Sequence, residues 1–201
     1  MGNVEARTSE NYHNNLINED GSKNMDAYDD SYVRSVMEQV LLEHMGWDLR
    51  DCDNKYGIDK VFFPHAKFGV ELEHGGFDTD DFFNHEGYSR KTDLPYPTLN
   101  MPERKLKFWL KDKLWYKEDW NNPKSQWLYT LNVPEKEKNI FCRTNVNCDH
   151  FLIVRPEKIL NGDYVIKEIY CNNSKKFEKF LCFKQEDVEV YNIVNGKLIK
   201  S

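Results

Sequence analysis

Gly57-Ile58-Asp59-Lys60-Val61-Phe62-Phe63, then Pro64-His65-Ala66-Lys67, then Phe68-Gly69-Val70-Glu71-Leu72-Glu73 is the stretch on which the fold turns. Two short runs rich in Val and Phe flank a four-residue connection, and a hairpin is the cheapest way to join them. Alternate side chains of a strand share a face, so Glu71 and Glu73 point one way while Val70 and Leu72 pack the other way. With the two strands paired around the turn, residue 59 stands opposite roughly residues 71 to 73. Three carboxylates then converge on one patch.

Acids on neighbouring strands repel each other, and the arrangement is destabilising unless a cation intervenes. Hard oxygen ligands suit Mg²⁺, which takes one or two carboxylates and completes its shell with water and substrate phosphate. An ion held in this way can bind a phosphate oxygen, generate hydroxide from water and stabilise a leaving oxygen. That is the chemistry of phosphodiester cleavage. A Glu-x-Glu pair alone is more often a solvated strand face, so the weight falls on what surrounds it.

Upstream, Val33, Val36, Met37, Val40, Leu41 and Met45 recur at steps of three and four and predict a helix over 32–45. Asp30 or Ser31 can cap its start, and Gly46 closes its end. Residues 1–27 are rich in Asn, Glu, Asp and Ser with no sustained apolar period, and read as a flexible polar tail before a single domain at 28–201. Downstream, Gly75-Gly76 allows a tight turn and 74–97 is too polar for core. Leu99 to Trp120 mixes Leu, Phe and Trp with Lys in a pattern that fits helix and strand equally. Further strands are expected at Trp127–Val133, Phe151–Val154, Tyr164–Tyr170, Phe180–Phe183 and Val188–Ile193. No internal repeat or Pro- or Ser-rich linker divides the chain.

The 201 residues include 34 acids and 28 bases, a formal charge of −6, and 14% aromatics, enough for a buried core. The charge is graded: residues 1–60 carry 13 acids and 6 bases, 61–98 carry 7 and 3, and 99–201 carry 14 and 19. The carboxy-terminal half is therefore basic, which is where a phosphate backbone would be held. Nothing approaches the roughly 18 consecutive apolar residues of a membrane span. The start, MGNVEARTSENYHNN, lacks an apolar h-region, and Ala6 stands where a myristoylation signal has Ser or Thr, so neither secretion nor lipid anchoring is expected. Cys52, Cys142, Cys148, Cys171 and Cys182 form no CxxC pair and read as reduced thiols of an intracellular, cytoplasmic protein.

An amphipathic helix, a strand ending in Gly-Ile-Asp, a short turn and a second strand with acids at alternate positions together resemble the core of the PD-(D/E)XK nuclease superfamily. The resemblance covers roughly residues 32–110. It implies an α/β fold, a restriction-endonuclease-like core with a mixed central β-sheet flanked by helices. It also implies that Asp59 and Glu71 are ligands of Mg²⁺ or Mn²⁺, with the Leu72 carbonyl as a third. The Lys usual in the motif is replaced by Glu73, as in some type II restriction endonucleases. Either Glu73 orients or deprotonates the attacking water, or a Lys from another segment supplies the charge. Lys105 is the preferred source, because an Arg-Lys pair often follows the hairpin in similar proteins, and Lys91 is the second. A further acid on the preceding helix would be Glu38.

DNA is the expected partner, with RNA as the other polyanion and with a homodimer or a protein partner supplying specificity. Arg104, Lys105, Lys107, Lys111 and Lys113 interleave with Phe108, Trp109 and Trp115, a pattern that fits a nucleic-acid surface or an amphipathic element with wet lysines. Of these, Arg104, Lys105 and Lys107 lie nearest the proposed site. His65, His74 and His85 match no compact zinc module, and only His74, beside Glu73, is retained as a phosphate or water contact. The absence of GxGxxG and of a P-loop lysine argues against nucleotide hydrolysis. Lys175, Lys176 and Lys179 read as ordinary solvated lysines. The main alternative is a protein that keeps the nuclease fold, has lost cleavage, and binds nucleic acid or another protein.

Overall fold

The apolar repeat of the first helix places one continuous stripe toward the protein interior, and α1 (Asp30–Met45) forms on it. Val33, Val36, Met37, Val40 and Leu41 are almost fully buried. Gly46 ends the helix at φ +68°, a conformation that costs glycine little, and its N–H donates to the Leu42 carbonyl at 3.2 Å. The computed structural model describes residues 18–22, 30–52, 58–64, 66–74, 92–109, 113–130, 139–145, 148–171 and 174–201, the side chains of Asp30, Phe108 and Trp109 excepted. The tail expected over 1–27 falls outside these apart from 18–22. Lys91, His65, His85 and Gly75-Gly76 also lie outside the described residues.

After α1 come β1 (Leu49–Asp51), β2 (Lys60–Phe62) and β3 (Gly69–His74), joined as an antiparallel meander. The hairpin is present, with Lys60 opposite Val70 and Val61 opposite Gly69. The seven-stranded sheet continues through β7 (Ile140–Thr144), β8 (His150–Val154), β11 (Glu189–Val194) and β12 (Lys197–Lys200). Its order is β1-β2-β3-β7-β8-β11-β12, and β3 runs parallel to β7 while the other pairs are antiparallel. The protein is thus α/β with a mixed sheet.

One face of this sheet carries Val70, Leu72, Ile140, Cys142, Phe151 and Ile153 against the stripe of α1. The other face carries Phe141, Leu152 and Val154, and what covers it is a second sheet. That layer consists of β4 (Thr98–Pro102), β10 (Lys176–Lys184) and β9 (Val165–Cys171), in the order β4-β10-β9. Leu99 and Met101 of β4, with Leu181 and Phe183 of β10, alternate inward onto the main sheet. The sequence-based expectation of flanking helices is therefore met on one face, whereas the other is closed by strands. An alternating β layer buries the same apolar face as well as a helix would. Beside the hairpin, β5 (Leu114–Lys117) and β6 (Trp127–Thr130) form a two-stranded ribbon. Its Leu114 packs with Cys52, Ile58, Val61 and Ala66.

The ambiguous region from Leu99 to Trp120 contains both kinds of element: β4, a 3-10 turn at Glu103–Lys105, α2 (Leu106–Trp109) and β5. This arrangement sets the turn carrying Lys105 at one end of the space between the two sheets. No helix among the described residues is long and apolar enough to cross a membrane. None of the five cysteines is joined in a disulfide.

Candidate functional site

Cross-strand partners share a face of the sheet, so Lys60 goes with Val70 on the α1 side and Asp59 falls in step with Glu71 on the other. Because β2 begins only at Lys60, the ladder gives way at Asp59 to its side chain. The Leu72 N–H donates to Asp59 Oδ2 at 2.8 Å, where a backbone carbonyl would otherwise accept. The N–H and C=O of a strand residue leave on the same side, so the Leu72 carbonyl also faces Asp59. Arg34 of α1 reaches around to the other carboxylate oxygen, with Nη1 at 2.9 Å from Asp59 Oδ1.

Glu71 and Glu73 leave β3 on the face away from α1, where β7 presents Phe141 and Arg143 beside them in register. Glu71 is buried, at 6% exposed. Lys105 enters from the 3-10 turn after β4 and bridges both acids, with Nζ 3.3 Å from Glu71 Oε1 and 3.5 Å from Glu73 Oε2. Arg143, itself buried, donates from Nη1 to Glu73 Oε1 at 3.0 Å. Three acids and three bases, Asp59, Glu71 and Glu73 with Arg34, Lys105 and Arg143, thus meet at one end of the inter-sheet space.

The balance is uneven within the cluster. Burial, and then the neighbouring Asp59, push the Glu71 carboxyl up to about 8 despite the opposing pull of Lys105. Its Oε2 atom is buried and receives no hydrogen bond, and the protonated carboxyl is itself within hydrogen-bonding reach of Asp59. A carboxylate oxygen stranded beside a second carboxylate is an acceptor awaiting either a proton or a cation. The fit to a metal is therefore specific in kind. Asp59 and Glu71 suit a Mg²⁺ or Mn²⁺ ion held by two carboxylates and completed by water and phosphate. They do not form a cage: no group of three or more His, Cys, Asp or Glu among the described residues is arranged to hold a metal.

The structure brings Asp59, Glu71, Glu73 and Lys105 together. Glu38 is placed differently: it lies one turn beyond Arg34 on α1, across the sheet from Glu71, with Oε1 3.0 Å from Lys60 Nζ. Lys60 also pairs with Asp51. Burial alone would lower the Lys60 pKa, but the hydrogen bond to Asp51 and the charge of Glu38 turn the net shift upward. His74 has the parity of Val70 and Leu72 and leaves β3 on the face opposite Glu71 and Glu73. Arg104 and Lys107 are exposed next to Lys105, and Arg104 Nη1 lies 3.8 Å from Glu178 Oε1 of β10.

Arg143 and Arg34 were not foreseen as site residues. The signal for Arg143 was faint: a single Arg inside the apolar run Ile140-Phe141-Cys142-Arg143-Thr144, where a charge needs a buried partner. For Arg34 it was a base on the polar flank of α1, one turn before Glu38. Comparison with known proteins finds no matching family model, no matching curated protein and no matching solved structure.

Proposed function

We propose that this chain is a divalent-metal-dependent nuclease with a restriction-endonuclease-like core, cleaving DNA phosphodiester bonds with activated water. The observation that carries the reading is the buried Glu71 carboxyl, with one oxygen receiving no hydrogen bond, set against Asp59 just before β2 and with Lys105 3.3 Å from its other oxygen. A helix leading into a hairpin with an Asp just before one strand and an acid on the next, within a mixed sheet, supports it further.

Asp59 and Glu71 are the residues that would hold Mg²⁺ or Mn²⁺, which when bound supplies a polarised phosphate oxygen and an acidified water. Lys105 takes the place of the missing motif lysine. Its ammonium, already between Glu71 and Glu73, would meet the negative charge that builds on the phosphate. Glu73 is held by Arg143 with one oxygen toward Lys105, an orientation suited to fixing an attacking water. Arg34 fixes Asp59 from the helix side. Because nothing in this set reads a base edge, sequence or structure specificity would come from a second copy or a protein partner.

A second reading is favoured by one observation: each acid of the cluster already has a basic side chain as its partner. A network neutralised in this way can stand as part of a non-cleaving module that binds nucleic acid or protein. Incubating single-stranded, duplex, branched and RNA substrates with Mg²⁺ or Mn²⁺ separates the two. The nuclease reading expects cutting that falls about a hundredfold or more in Asp59→Asn and in Lys105→Ala. Intact substrates of all four kinds would hand the fold to the interaction module.

A further inference from the structure

The hairpin of β9 and β10 outruns the strand it is built on. Strand β4 ends at Pro102, opposite Phe180, whereas β10 continues backward through Lys179, Glu178, Phe177 and Lys176, still paired with β9. The overhang emerges at the same end of the second sheet as the turn carrying Arg104 and Lys105, and Glu178 meets Arg104 there. Residues Leu181 and Phe183 face the main sheet, so Lys179 and Phe177, which share their parity, face the same side. Tyr170, opposite Phe177, completes that surface.

What the overhang presents is not what a solvated hairpin needs. Phe177 is 67% exposed and Tyr170 42% exposed, stacked edge to face with ring centroids 5.3 Å apart. On the face that carries them Lys179 stands opposite Glu168 and Lys175 lies in the turn, whereas Lys167, Lys176 and Lys184 have the opposite parity and leave on the other face with Glu178. An aromatic pair held in the open costs solvation, and Lys175 and Lys179 beside it offer cations to a polyanion that also has flat apolar faces. Nucleic acid with unpaired bases has both properties.

We infer that the overhanging β9–β10 hairpin is a platform for single-stranded DNA, with Tyr170 and Phe177 stacking on unpaired bases and Lys175 and Lys179 holding the backbone. The inference rests on the nuclease reading for its choice of DNA as the polyanion, and it deepens that reading by naming the strand form delivered to the acid cluster. A strand lying on that face runs toward the end of the second sheet where the turn carrying Lys105 follows β4. Duplex DNA, whose base faces are stacked on one another, leaves the aromatic pair unused.

Binding is read apart from cleavage by fluorescence anisotropy of an end-labelled oligothymidylate of about 16 nucleotides, in EDTA, with the full chain. The double variant Tyr170→Ala with Phe177→Ala should bind about tenfold or more weakly. Phe177→Trp should retain parental affinity and show quenching of the added indole on binding. Replacing Lys175 and Lys179 with Ser should lower the slope of log K against log salt by about one. Unchanged affinity in the double alanine variant overturns the inference, as does tighter binding of the parent to a blunt duplex or to RNA of matched sequence. Mg²⁺-dependent cutting with hairpin-independent binding would sink the platform and leave the nuclease. Hairpin-dependent binding with no cutting of any substrate would sink the nuclease and leave the platform.

Discussion

Glu71 combines deep burial, an acidic neighbour in Asp59 and a cationic one in Lys105, and its raised pKa shows that the first two outweigh the third. In the unfolded chain it ionises near 4.5, whereas in the folded chain it holds its proton to about 8. The folded state thus binds the extra proton between these values, and metal-free stability falls as pH rises through that window and levels off above it. Glu71→Gln removes the titration. In chelator-containing buffer its melting temperature should equal the parent's near pH 4 and exceed it increasingly toward pH 8. A parent whose stability rises over the same range as the variant's stays flat would contradict this. On the proposed nuclease reading the same substitution should abolish divalent-ion-dependent cleavage, since a carboxamide carries no charge for the ion.

The hairpin is the element that turns local chemistry into a site, and its closest point is Gly69. A Cβ there would lie 2.8 Å from the Lys60 carbonyl oxygen, 3.0 Å from Asn139 Oδ1 and 3.1 Å from Ile58 Cγ1. Asn139 Oδ1 already accepts the Gly69 N–H at 3.1 Å, so neither contact can yield cheaply. Gly69→Ala should therefore destabilise the fold by about 1–3 kcal/mol, measured by urea denaturation, and lower activity further by shifting Glu71 two residues on. Helix α1 and this hairpin were legible in the sequence because their periods are local and dense. Strand β7 was not, because its five residues are buried on both faces and show no alternation. Arg143 was hidden with it, whereas Lys105 was accessible through its Arg-Lys context. Strand β10 was read short, at Phe180–Phe183, because its overhanging half is polar and exposed, and that half is the part with a surface to offer.

At the scale of the molecule, two sheets and one helix are stacked so that the main sheet is covered on both faces, and Phe141 is the side chain through which the two sheets meet nearest the acids. It is fully buried, and on β3 its register partner is Glu71. Phe141→Ala should cost about 3–5 kcal/mol by equilibrium unfolding and loosen Glu71 and Lys105 together. A variant that loses stability while the layers unfold in two separate steps would contradict a shared core. The formal charge of −6 is likewise a whole-molecule number that says little locally. The acids of the cluster are matched by Arg34, Lys105 and Arg143, and the β9–β10 overhang is basic. The claim at the centre is that Asp59 and Glu71 are poised for a divalent ion, and calorimetric titration of Mn²⁺ into the metal-free protein tests it most directly. Saturable binding in the parent, lost in a folded Asp59→Asn variant, is the predicted result; equal heats of dilution in both proteins would contradict it.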